Sequence, residues 1–112
     1  RNAKMKIQKF RIERKVINEL SLSLYSLASK LRIISSFIVQ KNPNDFHNFS
    51  LINMYYNTIL NYIYEIENIT SSQNKAIIVS KEIMDKFNSY KNILNKMELE
   101  VLKIPFLSLS VH

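Results

Sequence analysis

Apolar residues recur in alternating steps of three and four from position 17 to position 38, and this pattern predicts the first helix. The series consists of Ile17, Leu20, Leu24, Leu27, Leu31, Ile34 and Ile38. Residues at these intervals lie along one side of an α-helix and form a heptad seam. The segment Leu20–Leu24 also alternates with period two, as a strand would. Because the heptad pattern continues through that segment without a break, we predict a helix.

Toward the N-terminus the apolar seam fades while the positive charge rises. Phe10 continues the seam by one heptad, but Glu13 and Lys6 occupy the next core positions. We predict that residues 4–40 form one long helix, with a packed half over 16–40 and a basic extension over 1–15. A helix of that length would measure about 55 Å.

Two more heptad seams predict two more helices, over residues 46–69 and 75–104. The second seam is Phe49, Ile52, Tyr56, Ile59, Ile63 and Ile66, and the third is Ile83, Phe87, Tyr90, Leu94, Met97, Val101 and Ile104. Pro43 marks the first break, and Asn44 or Asp45 is expected to cap the helix that follows. The apolar run 76–79 could begin as a strand, but no partner strand is evident in the sequence. A tail, 105–112, follows the third helix.

These three segments predict an all-α fold with residues 1–112 in a single domain. The chain contains no Gly and only two Pro, so few long elements are expected. Short loops between three matched helices favour an up-down-up three-helix bundle with a long basic first helix. A helical hairpin that completes a four-helix bundle with a second copy is the alternative.

The formal net charge of +7 is concentrated in the first third of the chain. Residues 1–41 contain ten Lys and Arg against two Glu, whereas residues 42–112 contain six Lys against seven acidic residues. Such a local excess favours a binding surface over a generally basic protein.

The composition excludes most catalytic chemistry, and we expect a protein that is not an enzyme. Without Gly there is no phosphate-binding loop or dinucleotide fingerprint, and without Cys there is no disulfide or thiolate. His47 has no ligand partner at helical spacing, and His112 is the last residue, so no metal site and no cofactor are predicted. No small-molecule substrate is expected either. The absence of a signal-peptide pattern and of Cys favours a cytoplasmic or other intracellular location over secretion.

The basic N-terminal segment is the strongest indication of function. We predict that it contacts nucleic-acid backbone, because phosphates require charge and reach rather than a fixed order of side chains. The predicted contact residues are Lys4, Lys6, Lys9, Arg11, Arg14, Lys15, Lys30 and Arg32. An apolar side formed by Ile7, Phe10, Ile12 and Val16 also permits binding to a membrane surface.

Several tyrosines of the second helix are candidates for contacts with a protein partner. Tyr56 and Tyr90 fall on seams and are predicted to be core residues. Tyr55, Tyr62 and Tyr64 widen the apolar face of the second helix in a stretch without Lys or Arg, so we predict packing or partner contact rather than base stacking.

Taken together, these features predict a non-enzymatic helical subunit of a larger nucleoprotein assembly that holds nucleic-acid backbone without reading sequence. In architecture, such a chain is similar to the small helical subunits of RNA-guided CRISPR effector complexes. That resemblance implies other protein subunits as partners and a role in antiviral defence. The alternatives are a helical interaction or scaffold module that does not bind nucleic acid, and a membrane-peripheral subunit.

Overall fold

Three helices and a two-stranded ribbon make up the described part of the chain, residues 8–70 and 74–103 of this computed structural model. The order of elements is β1 (Lys9–Glu13), α1 (Arg14–Lys41), α2 (Phe46–Ile69), β2 (Ala76–Ser80) and α3 (Lys81–Leu102). α2 returns antiparallel to α1, and α3 then runs back along α1. The predicted all-α, up-down-up bundle is therefore confirmed, with a small β-ribbon added at one end.

The seam of α1 forms the centre of the core. All seven predicted seam residues of this helix are buried, and Leu24 and Leu31 are fully inaccessible. Leu22, in the segment that alternates with period two, is exposed on the helix surface. The heptad pattern thus predicted the structure correctly where the two patterns competed.

α2 begins and ends at the predicted residues. Asp45 caps it, since its carboxylate accepts hydrogen bonds from the Asn48 backbone N–H at 3.2 Å and from the Asn48 side chain at 2.9 Å. Its isoleucines fill the interface with α1, and the buried ones are Ile52, Ile59, Ile63 and Ile66. The seam prediction holds for these four, whereas Phe49 and Tyr56 are half-buried.

The predicted helical extension of α1 is wrong for residues 9–13, which form a strand. β1 pairs antiparallel with β2 in the register Phe10↔Val79 and Ile12↔Ile77. Ile12, Ile77 and Val79 are buried and Phe10 is half-buried, so the alternating side chains of both strands cover one end of the core. A helix over 9–13 would have placed Glu13 in the seam. Pairing with β2 instead leaves Glu13 exposed.

The same pairing delays the start of the third helix. Residues 76–80, predicted as its first turn, form β2, and α3 begins at Lys81. The Ser80 hydroxyl caps it by accepting a hydrogen bond from the Ile83 N–H at 3.3 Å. The buried residues of α3 are Phe87, Tyr90, Leu94, Met97 and Val101. Ile104 and the tail 105–112 lie outside the described residues.

α3 covers only the first half of α1. Lys91 and Leu94 share a groove with Val16 and Leu20, which fixes the level at which the two helices meet. Counted at 1.5 Å per residue from that level, α3 ends at about the middle of α1. The far half of the α1–α2 hairpin therefore extends beyond α3.

Candidate nucleic-acid interface

The outer face of the ribbon displays two of the predicted contact residues. Since side chains alternate along a strand, Lys9 and Arg11 point away from the core that Phe10 and Ile12 face. Arg11 lies opposite Ile78, which is 60% exposed. The Arg11 guanidinium contacts the Glu13 carboxylate at 3.1 Å, with both side chains largely in water. An exposed pair of this kind is worth little, so a phosphate can replace the carboxylate.

Lys15 extends this basic surface onto the first turn of α1. α1 begins at Arg14; its N-cap residue, Glu13, makes no side-chain cap hydrogen bond, and its first turn contains no acidic residue. Cations in a first turn are disfavoured by the helix dipole, which attracts anions instead. A groove beside this turn is lined by Arg14, Lys15 and Lys75 together with the acidic Glu13 and Glu19. Its charged lining residues therefore carry a net charge of +1.

Arg14 has a structural role that the sequence prediction missed. Its guanidinium donates to the carbonyl of Asn74 at 3.0 Å and to that of Thr70 at 3.1 Å. Its backbone N–H also donates to the Lys75 carbonyl at 2.6 Å. These bonds fasten the end of α2 and the start of β2 to the beginning of α1. Arg14 is half-buried and engaged within the fold, so we remove it from the proposed phosphate contacts.

Strand pairing brings cations of the third helix to the same end of the molecule. We call this region, residues 8–19 and 75–91, the basic end. It contains eight basic side chains against four acidic ones, a net charge of +4. The basic members are Lys9, Arg11, Arg14, Lys15, Lys75, Lys81, Lys86 and Lys91. In residues 20–70 and 92–103, five basic side chains balance five acidic ones. All the net charge of the described chain is thus at one end.

Sequence reasoning missed the contribution of Lys75, Lys81, Lys86 and Lys91. They were missed because the net charge of residues 42–112, taken together, is close to zero. The signal that could have found them is the apolar run 76–79, whose β-branched residues favour a strand, beside the alternating polar and apolar residues 9–12. Lys81 is partly neutralised by Asp85 at 3.1 Å, whereas Lys91 lies beside Arg11 and Glu13 at a cavity of about 170 Å³.

The remaining predicted contact residues do not join the basic end. Lys30 lies about 22 Å beyond Lys15 along α1, at 1.5 Å per residue. Arg32 lines a groove on another side of the hairpin with Asn53 and Tyr56. Lys4 and Lys6 lie outside the described residues. The structure therefore groups Lys9, Arg11 and Lys15, and separates Lys30 and Arg32 from them.

The three tyrosines predicted to contact a partner have different environments. Tyr62 is half-buried and stacks on Tyr90, with ring centroids 4.2 Å apart. Tyr55 is half-buried against the core. Tyr64 is 65% exposed, and it is the one of the three whose ring is available to a partner. Tyr90, predicted as a core residue, is buried.

Tyr90 also joins α3 to α2 by a hydrogen bond from its hydroxyl to the Glu65 carboxylate. Glu65 is half-buried. Replacing Tyr90 with Phe removes the donor and leaves the carboxylate poorly solvated. We expect the free energy of unfolding to fall by about 2 kcal/mol, measured by urea denaturation. The exposed Tyr64→Phe is the matched control, and an equal loss in both variants would contradict this role.

The same contact predicts a loss of stability in alkaline solution. Burial, together with the hydrogen bond and negative charge of Glu65, raises the pKa of Tyr90 above its ordinary value of 10.0. The folded state thus holds the phenol proton more tightly than the unfolded state does. This stabilisation is complete below pH 10 and is lost as the pH rises through the folded-state pKa. We expect unfolding free energy to decline above about pH 10, and to decline less steeply in Tyr90→Phe.

The described residues contain no group of three or more His, Cys, Asp or Glu side chains that could hold a metal ion. His47 is exposed in the first turn of α2. The grooves reported above are lined by mixed polar and apolar side chains. Arg11 and Glu13, at the cavity beside Lys91, form an exposed ion pair at 3.1 Å. His112 lies outside the described residues.

The apolar side predicted for a membrane-binding N-terminal helix is absent from residues 9–13. Ile12 is buried, and Phe10 is half-buried against the core. By length and composition alone α1 could cross a membrane, with a mean hydropathy of 1.3 over 18 residues. The core helix of a soluble protein meets the same criterion. In α1 the apolar seam packs on α2 and α3.

Comparison of the chain with family models, curated proteins and solved structures gave no match to any of them.

Proposed function

We propose that this chain is a non-enzymatic helical subunit that holds nucleic-acid backbone through its basic end. The observation that supports this function best is the confinement of net charge: +4 in residues 8–19 and 75–91, and zero in the rest of the described chain. Phosphate contacts are the part of nucleic-acid recognition that depends on such a field.

The side chains at the basic end suit backbone contacts better than base contacts. Lys9 and Arg11 are exposed on the outer face of β1, and Lys15 is exposed on the first turn of α1, so each side chain can contact a different phosphate. Ile78, rather than an aromatic residue, lies at the centre of the ribbon's outer face. Sequence-independent binding of this kind is expected of a subunit that works inside a larger nucleoprotein assembly with other proteins.

The first test is fluorescence anisotropy of the full chain with labelled single-stranded and duplex oligonucleotides at several salt concentrations. We expect the logarithm of the association constant to fall linearly with the logarithm of salt concentration, because bound cations displace counterions. Oligonucleotides of different sequence should bind with similar affinity. No binding at low salt would overturn the proposal.

A role in protein–protein interaction is the second candidate, and exposed apolar side chains on the hairpin favour it. Phe46 is 69% exposed and Tyr64 is 65% exposed, although both are large and apolar in character. Such side chains gathered on one surface mark an interaction site.

A further inference from the structure

One side of the α1–α2 hairpin has no element packed against it within the described residues. We call it the back face, formed by Tyr25, Arg32, Val39, Phe46, Asn53, Leu60 and Tyr64. Tyr25, Arg32 and Val39 follow one another at steps of seven on α1. Phe46, Asn53 and Leu60 do the same on α2, and Tyr64 lies one turn after Leu60. Residues seven apart lie on one side of a helix, so each series forms a line along its helix.

Contacts between the helices fix where this face lies. The Tyr25 hydroxyl donates to the Glu67 carboxylate at 2.9 Å, across the hairpin. Arg32 shares a groove with Asn53. α3 approaches from the other side, where it meets Val16 and Leu20. The two lines therefore lie side by side and away from α3.

The back face exposes five apolar or aromatic side chains. Its apolar and aromatic side chains are 39–69% exposed. They form two layers across the hairpin. Val39 and Phe46 lie near the connection between α1 and α2, and Tyr25, Leu60 and Tyr64 lie nearer the N-terminus of α1. Arg32 and Asn53 form a polar layer between them. In a four-helix bundle, positions that recur at heptad spacing on one side of each helix are buried against the other helices.

We propose that a second copy of this chain packs on the back face to form a four-helix bundle, with the two-fold axis along the hairpin. This inference is separate from the proposed function. Rotation about that axis sets α1 of one protomer beside α2 of the other at equal height. Val39 then meets Phe46 of the partner subunit, and Arg32 meets Asn53 of the partner subunit, whose side-chain oxygen can accept its hydrogen bond. Rotation about this axis keeps every residue at its own height. Each layer of one protomer therefore faces the same layer of the partner subunit.

One charged contact on the face disfavours the other two-fold arrangement when its axis passes at the level of Arg32. An axis across the hairpin would set α1 against α1 of the partner in reverse. Arg32 would then face Arg32 of the partner subunit, and Val39 would face Tyr25 of the partner subunit. Like charges set against each other in an interface are strongly unfavourable. A self-complementary surface under one symmetry is what an isologous dimer requires.

Analytical ultracentrifugation of the full chain tests the interface. We expect a reversible dimer at micromolar concentrations. Introducing Phe46→Glu with Tyr64→Glu should weaken it by roughly 100-fold through desolvation and like-charge repulsion. Both positions are largely exposed, so the substitutions leave the core intact. A Glu side chain in the first turn of α2 also interacts favourably with the helix dipole, and we expect the variant to fold.

The matched control is Leu99→Glu with Leu102→Glu. These leucines are 63% and 71% exposed and lie on α3, away from the back face, so the control carries the same change in charge. It should remain dimeric. A monomeric parent chain, a back-face variant that stays dimeric, or a control that dissociates equally would each overturn the proposal.

Single cysteines test the axis, because the natural chain contains none. An equimolar mixture of Val39→Cys and Phe46→Cys chains should give a crosslinked heterodimer with a short bismaleimide. The pair Val39→Cys and Tyr25→Cys should not. The reverse result would overturn the proposed axis and favour the crossed arrangement.

Discussion

Replacing Lys9, Arg11, Lys15 and Lys75 together with Gln is expected to lower the affinity for duplex nucleic acid on the order of 100-fold at moderate salt. Each cation bound to a phosphate contributes about 0.9 to the slope of log affinity against log salt, so four lost contacts should flatten that slope by about 3.6. All four side chains are exposed, and the one that has an ion pair, Arg11, loses only an exposed partner. Anisotropy titrations at several salt concentrations measure both quantities.

The matched control removes four charges from the rest of the molecule. Lys30, Lys41, Lys96 and Lys103 are exposed and lie outside the basic end and the back face. Changing these four to Gln gives the same net charge as the first variant. We expect a much smaller loss of affinity and a nearly unchanged salt slope. Equal effects in the two variants would show that overall charge, and not the basic end, determines binding.

Replacing Arg14 with Ala is expected to lower the free energy of unfolding by about 2–3 kcal/mol, because hydrogen bonds to charged groups are among the stronger ones. The carbonyls of Thr70 and Asn74 lose their guanidinium donor, and the end of α2 is no longer fastened to α1. Urea denaturation measures the change. Under conditions where the variant is folded, its affinity for nucleic acid should stay within a few-fold of that of the parent.

The variant Arg14→Lys tests whether Arg14 stabilises the fold through its positive charge or through the geometry of its two hydrogen bonds. Lysine retains the positive charge but cannot present two donors in the fixed fork of a guanidinium. It should therefore recover only part of the lost stability. Full recovery by Lys, or a large loss of affinity in a folded Arg14→Ala protein, would indicate that Arg14 acts through its charge at the interface.

Local pattern predicted the helices well because a heptad seam is a property of neighbouring residues. The seam from Ile17 to Ile38 and the four isoleucines of α2 are buried as predicted. Asp45 caps α2 because its side chain lies three residues before the N–H that it accepts from. None of these features depends on distant parts of the chain.

The strands were missed for the opposite reason. Ile12 and Ile77 are 65 positions apart, and neither five-residue run is a strand without the other. Residues 9–13 also carry three charged side chains, which suit a solvated helix equally well until a partner strand covers Phe10 and Ile12. The role of Arg14 follows from the same pairing, because its acceptors belong to the loop that leads into β2.

The sequence by itself determined three helices, their seams, their order and the local excess of positive charge, because periodicity, capping and composition act over a few residues. Only the tertiary structure decided which cations stand together. Pairing of β1 with β2 gathers Lys75, Lys81, Lys86 and Lys91 beside Lys9, Arg11 and Lys15, and leaves Lys30 and Arg32 apart. The physical reason is that charge acts through distances in space, and contacts between residues far apart in sequence set those distances.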